Sequence, residues 1–169
     1  ALPISYYFGV HSQNEYGKSY IGVNLPLGEI TCDQLLELAD ISEKYGDSKI
    51  RTTLSQNLII AGINNADISY LLKKDIFKQL SPNPNIFTGY TVSCTGKEFC
   101  NLAIVETKER AREIIIYLDS KIKIDTPIRI HFTGCPNSCG QKHIADISLQ
   151  GALIKTEDSC DEAFTLWLG

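Results

Sequence analysis

The sequence predicts an α+β chain in two parts, and three observations predict it. Short aromatic and β-branched runs alternate with amphipathic helical stretches. A double-proline segment, Ser81-Pro82-Asn83-Pro84-Asn85, interrupts that pattern once. Hydrophobic residues make up 43% of the 169 residues, enough to build a core in each part. The expected division is residues 1–82 and 83–169.

In the first part, Tyr6 to Val10 and Ser19 to Leu25 read as strands joined by a polar stretch carrying Asn14 and Gly17. Thr31-x-x-Gln34 is a capping-box signature. Leu35, Leu36, Leu38, Ala39 and Ile41 follow it at roughly helical spacing, and Gly46 ends that helix. Lys49 to Leu54 and Leu58 to Ile63 read as strands around Ser55-Gln56-Asn57. Asp67 to Leu80 reads as one amphipathic helix, with Ile68, Leu71, Leu72, Ile76 and Leu80 apolar. The order suits helices on one face of a mainly antiparallel sheet.

In the second part, a strand over Phe87 to Ser93 runs into Cys94. A helix is expected over about 99–122, with Ala103, Ile104, Ala111, Ile114, Ile115 and Leu118 as its apolar stripe. Ile128 to Phe132 alternates as a strand and delivers Cys135. Asp146 to Ile154 and Phe164 to Leu168 read as further strands.

Composition narrows the function classes. Charged residues are 21% and mixed, and the net charge of −4 gives no basis for nucleic-acid binding. No apolar run approaches the length of a membrane span. The opening residues, Ala1 to Ser5, lack a signal peptide's basic and hydrophobic regions. With no methionine, the chain has no visible translation start and is expected to be a processed product or an excised piece. Six cysteines without a secretory signal argue for a reducing compartment and for ligation rather than disulfides.

Four of those cysteines form two close pairs, Cys94-x5-Cys100 and Cys135-x3-Cys139. Soft thiolate ligands favour iron–sulfur clusters or zinc. If 135–139 is helical, its two sulfurs lie on one face, with Pro136 as the first helical residue. The free N–H groups of a helix start would then favour thiolate and sulfide charge. The x5 spacing exceeds that of zinc knuckles and tips the balance towards iron–sulfur. Zinc and a set of buried free thiols remain the alternatives. Cys32 and Cys160 are single, and Cys32 is expected to be a small buried or half-buried side chain.

Around these cysteines the residues are specific. Ser93-Cys94-Thr95-Gly96-x-x-Phe99-Cys100-Asn101-x-Ala103, Glu106-Thr107-Lys108, and His131-Phe132-Thr133-Gly134-Cys135-Pro136-Asn137-Ser138-Cys139-Gly140-Gln141 closely resemble the siroheme-dependent nitrite and sulfite reductases. Gly9-Val10-His11, Tyr20-Ile21-Gly22, Ile50-Arg51, Gln56-Asn57 and Ser81-Pro82-Asn83-Pro84 resemble the ferredoxin-like half-domain that precedes the cysteine module in that family. The details lean towards the C-terminal half of the assimilatory, ferredoxin-dependent nitrite reductase branch.

The resemblance implies an α+β pair: a ferredoxin-like half-domain, then an iron–sulfur and siroheme module. It implies that Cys94, Cys100, Cys135 and Cys139 bind a [4Fe–4S] cluster and that Cys139 bridges it to siroheme as the catalytic ligand. Thr95, Asn101, Thr133, Asn137 and Gln141 would surround the cofactors. It further implies six-electron reduction of nitrite to ammonia, reduced ferredoxin as donor, and the N-terminal half of the same enzyme as partner. The isolated piece would then be inactive, and either cofactor would be absent from it in some preparations. The location would be the cytoplasm, or the stroma of a plastid. A sulfite reductase half and a stand-alone iron–sulfur electron carrier are the alternative readings, and a structural zinc domain is a further one.

Other residues carry weaker signals. Arg51 is read as having a structural or carboxylate-pairing role ahead of an active one. His131 is read as a satisfied strand histidine ahead of a proton donor, and His11 and His143 carry no signal of their own. Lys97, Lys142, Arg110 and Arg112 are candidates to receive an acidic ferredoxin, against the default of a solvated face.

Overall fold

The computed structural model describes residues 7–169, so Tyr6, the first residue of the first expected strand, lies outside the described residues. The chain divides into two compact units between Pro84 and Asn85.

The first unit holds strands β1 (Gly9–Ser12), β2 (Lys18–Val23), β3 (Ile50–Thr52) and β4 (Leu58–Asn64). They form an all-antiparallel sheet in the order β1-β2-β4-β3. Helices α1 (Cys32–Tyr45), α2 (Asn65–Leu71) and α3 (Ile76–Gln79) complete the unit. The capping box forms: Gln34 N–H donates to Thr31 Oγ1 at 3.2 Å, and Thr31 N–H donates to Gln34 Oε1 at 3.0 Å. Such a cap stabilises a helix by about 1 kcal/mol. Ile21, Ile60 and Ile63 from the sheet meet Leu38 of α1 and Leu71 of α2 in one core, all fully buried.

The expected single helix over 67–80 is two helices. After Leu71 the bonds tighten: Lys73 N–H reaches Tyr70 O and Lys74 N–H reaches Leu71 O. A continuous helix would set Ile76 about 140° round from Leu71. The break re-aims the chain so that Leu71, Ile76, Phe77 and Leu80 are all buried. Core packing overrides local propensity here.

The second unit comprises α4 (Ile86–Tyr90), β5 (Thr91–Ser93), α5 (Lys108–Lys121), β6 (Ile130–Thr133), β7 (Ile147–Lys155) and β8 (Cys160–Leu168). Its sheet runs β5-β6-β7-β8. The β5–β6 and β6–β7 pairs are parallel, and β7–β8 is an antiparallel hairpin. Every residue of β6 is buried, as suits a parallel strand covered on both faces.

Two expectations change in this unit. The first half of the expected strand 87–93 is helix α4. The Asp119 carboxylate on α5 accepts from Phe87 N–H, Thr88 N–H and Thr88 Oγ1–H at 3.2, 3.3 and 2.6 Å. A distant carboxylate thus satisfies the free donors of a helix start. The expected helix over 99–122 begins only at Lys108. Its first third is a loop, because a tertiary partner takes an N–H that a helix would use. Ile104 N–H, which a helix would turn to Cys100 O, donates instead to Gly134 O at 2.7 Å. Among the described residues no helix is long and apolar enough to cross a membrane.

Candidate functional site

The parallel pair β5–β6 sets the candidate site. Ser93 lies opposite Phe132, so Cys94 and the Gly134-Cys135 step leave adjacent strands at the same end. Cys94 N–H donates to Phe132 O at 3.0 Å and carries the pairing one step further. Gly134 N–H then donates to Cys94 Sγ at 3.1 Å. One residue of the second cysteine motif therefore touches the sulfur of the first. Cys94 is half-buried and Cys135 is buried.

Thr107 secures Cys94 from the other side. It is fully buried, its hydroxyl donates to Cys94 O at 2.8 Å, and its Oγ1 lies 3.8 Å from Cys94 Sγ. Gly96, at φ +78°, turns the chain between them. A Cβ there would fall 2.7 Å from Thr107 Oγ1 and 2.9 Å from the Glu106 carboxylate, so the turn admits glycine alone without rearrangement.

Cys100 is half-buried in the loop that follows. Its N–H donates to Gly96 O, and its carbonyl accepts from Ala103 N–H, both at 3.1 Å. Cys139 is exposed. The segment 135–139 is not the helix that would stack its sulfurs one turn apart. Pro136 and Asn137 form a turn, and Ser138 and Gln141 both adopt left-handed φ, +58° and +59°. Gly140 lies so close to β6 that a Cβ would come 2.1 Å from Phe132 O. Backbone packing onto the strand thus replaces the helix start that would have favoured thiolate charge.

His131 holds this turn from below. It is 2% exposed, and its Nδ1 lies 2.8 Å from Gly140 O and 3.1 Å from Gln141 O. Carbonyls only accept, so Nδ1 carries the proton and donates. Burial pushes the imidazole below its ordinary pKa, against the opposing pull of the two carbonyls. His131 therefore acts as a satisfied strand histidine.

Of the expected cofactor contacts, Thr133 is buried and its hydroxyl donates to Cys135 O at 3.3 Å. Thr95, Asn101, Asn137 and Gln141 are exposed in the same loops. Among the described residues, no three His, Cys, Asp or Glu side chains come close enough together to hold one metal ion. The structure brings the two motifs into contact through Cys94 and Gly134. It does not draw the four sulfurs to one point.

Arg51 forms a two-pronged pair with Asp47, at 3.1 and 2.5 Å, which holds that carboxyl below its usual pKa. Lys97 pairs with Glu162 at 2.6 Å and Arg110 with Glu113 at 3.2 Å. Lys142 bonds Gln150 and sits over the Trp167 ring at 4.5 Å. His11 stacks on Tyr20 at 4.8 Å, and His143 lines a cavity of about 270 Å³ with Lys142, Ser148 and Trp167. Cys32, expected buried or half-buried, is exposed: the first helical turn of α1 presents it to solvent. Cys160 is exposed as well. Sequence reasoning gave no role to Thr107 or Glu162. The Glu106-Thr107-Lys108 triplet of the family resemblance was the available signal for the first; nothing local signals the second.

Residues 11–74 match the family model of the nitrite/sulfite reductase ferredoxin-like half domain. A ferredoxin–nitrite reductase from Synechococcus elongatus is 40% identical over 163 residues, 96% of this chain and 32% of that protein. The chain belongs to the nitrite and sulfite reductase family. The chloroplastic ferredoxin–nitrite reductase of Spinacia oleracea is also 40% identical, over 90% of this chain and 26% of that protein. The Mycobacterium tuberculosis NirA protein, a solved structure, matches 96% of the chain with a TM-score of 0.86 at 29% identity; the match spans 31% of NirA. The chain thus spans about a third to a quarter of the family members it matches. The matched half-domain lies within the all-antiparallel first unit. The two longer matches also take in the cysteine unit.

Proposed function

We propose that this chain is a portion of a ferredoxin-dependent nitrite reductase and that its second unit is the iron–sulfur and siroheme side of the active site. Cys94, Cys100, Cys135 and Cys139 would hold a [4Fe–4S] cluster, and Cys139 would serve siroheme as well. The observation that carries the reading is the 3.1 Å bond from Gly134 N–H to Cys94 Sγ. It joins the two cysteine motifs at the ends of adjacent parallel strands, and it is the kind of donor that stabilises a ligating thiolate.

The donor set fits such a cluster. All four groups are soft sulfurs, Cys94 already accepts an N–H, and Cys139 stands exposed where a second cofactor can reach it. When bound, the cofactors supply single-electron delivery and an iron at which nitrite is reduced to ammonia. The chain's own residues orient and shield. The β5–β6 ladder fixes Cys94 and Cys135, Thr107 holds Cys94 through its carbonyl, and His131 holds the Cys139 turn through Gly140. Thr95, Asn101, Asn137 and Gln141 are exposed in the same loops and would offer hydroxyl and amide groups to sulfides or siroheme carboxylates, while the buried Thr133 steadies Cys135 through its carbonyl.

In this reading the remainder of the longer protein supplies the substrate face. Reduced ferredoxin is the donor, nitrate assimilation is the setting, and the cytoplasm or a plastid stroma is the place. The test is anaerobic reconstitution of the full chain with iron and sulfide, then siroheme, followed by iron and acid-labile sulfide analysis and a visible spectrum. Uptake near one cubane per chain is expected. A chain that binds zinc but never iron and sulfide overturns the reading. Assay of the longer protein against nitrite and sulfite separates the two activities.

A further inference from the structure

The loop that presents Cys100 has neither strand nor helix to hold it. Between Lys97 and Glu106 its backbone support among the described residues is two local bonds at Cys100 and one bond from Ile104 N–H to Gly134 O, which leaves the Lys97 end without a backbone tie to the sheet. One carboxylate from elsewhere in the unit closes it. Glu162 stands on β8, the last strand of the sheet, opposite Leu153 of β7. Its Oε1 accepts from Lys97 Nζ at 2.6 Å, and its Oε2 accepts from Glu106 N–H at 3.3 Å. A single side chain therefore bridges the first and last residues of the Cys100 loop. The bond to Lys97 holds the Glu162 carboxyl below its ordinary pKa, so the bridge is ionic at neutral pH.

Glu106 completes the arrangement. Its carboxylate accepts from Glu98 N–H at 3.2 Å and from Lys108 N–H at 2.9 Å, joining the interior of the loop to the start of α5. Two carboxylates do what a ladder does for Cys94 and Cys135. Closing a loop at both ends removes most of its freedom, and a bond at one end alone leaves most of it.

We propose that Glu162 is a positioning residue that clamps the Cys100 loop and so sets where Cys100 is offered to the cluster. The inference rests on the cluster reading above. It assigns a role to β8, whose sequence carries no cysteine motif.

The pair is partly exposed, with the Glu162 side chain 39% accessible, so its loss leaves the unit folded. The test compares wild type with Glu162→Gln, Glu162→Leu and Lys97→Met in the full chain. Iodoacetamide labelling of each cysteine is followed by mass spectrometry without metal. Cys100 labelling rises about fivefold in Glu162→Leu, the size expected on losing a partly exposed pair. It rises less in Glu162→Gln, whose amide oxygen still accepts from Glu106 N–H. Lys97→Met follows Gln, and Cys135 is unchanged in all three.

After anaerobic loading with iron and sulfide, the electron paramagnetic resonance spectrum of the reduced cluster differs between wild type and Glu162→Leu. Unchanged Cys100 labelling with a loaded wild type overturns the clamp. So does equal acceleration of all four cysteines together with a lowered melting temperature, which marks general loosening. A wild type that takes up no iron and sulfide overturns the cluster reading and, with it, the purpose given to the clamp.

Discussion

Cys94 and Cys135 are held differently from Cys100 and Cys139. The first two leave the ends of paired parallel strands; one is half-buried, the other buried, and backbone bonds place both. The other two sit in irregular loops, where side chains add to isolated backbone bonds: carboxylates for Cys100, His131 for Cys139. Backbone ladders are rigid and cooperative, whereas loop contacts open locally at lower cost. In the proposed cluster site, two ligands would be fixed and two could settle onto the cofactor.

The strongest way to break that contrast is to remove what fixes the strand ends. Phe132 is fully buried on β6 and meets Phe164 of β8 edge to face, ring centres 6.0 Å apart. Phe132→Ala is expected to cost about 4 kcal/mol. The chain has one tryptophan, Trp167 on β8, so its fluorescence during urea unfolding reports the second unit alone. An unfolding midpoint unchanged from wild type would mean that the strand does not anchor the pair.

A smaller effect is expected at Thr107, where valine keeps the shape and removes the hydroxyl. Thr107→Val leaves the Cys94 carbonyl without that donor, and a loss of about 1–2 kcal/mol is expected. Labelling of Cys94 should accelerate and that of Cys139 should not. Equal acceleration at both would dissolve the distinction between them.

His131→Phe tests the loop side. The ring volume stays, and the donor to Gly140 and Gln141 is lost. About 1 kcal/mol of stability is expected to go, and faster proteolysis between Ser138 and Lys142 should follow. A digestion pattern identical to wild type would remove His131 from the account.

The smallest effect lies on the far side of the ladder. Arg129 binds Asp146 through its backbone N–H and its guanidinium, which lowers the Asp146 carboxyl to about 2. A carboxyl depressed on folding adds stability that is complete above its unfolded pKa, near ~3.9, and lost as pH falls towards the folded value. The Asp146 side chain is 42% exposed, so screening reduces the contribution to about 1 kcal/mol or less. The urea midpoint read by Trp167 should fall between about pH 4 and pH 2, and Asp146→Asn should flatten that part of the profile. A variant with the wild-type slope would assign the loss to other carboxyls.

Much of this was legible in the residues themselves. The Thr31 capping box, strands β2, β4, β6 and β7, and the cysteine pairs are local patterns, and local patterns survive folding where burial agrees with them. The failures share a cause. Helix α4, the break before α3, and the loop ahead of α5 all arise where groups distant in sequence compete for backbone donors or for the core. No window of sequence contains Asp119 beside Phe87, or Glu162 beside Lys97.

By itself, the sequence picked out four thiols in two motifs as a candidate redox site and determined that a ferredoxin-like α+β unit precedes them. Only the tertiary structure decided how those thiols are held. Parallel pairing of β5 with β6 brings Gly134 to the Cys94 sulfur, and packing of Gly140 on Phe132 turns the Cys139 segment away from a helix. Side-chain identity is a local property of the chain, but which backbone N–H meets which sulfur depends on strands far apart in sequence.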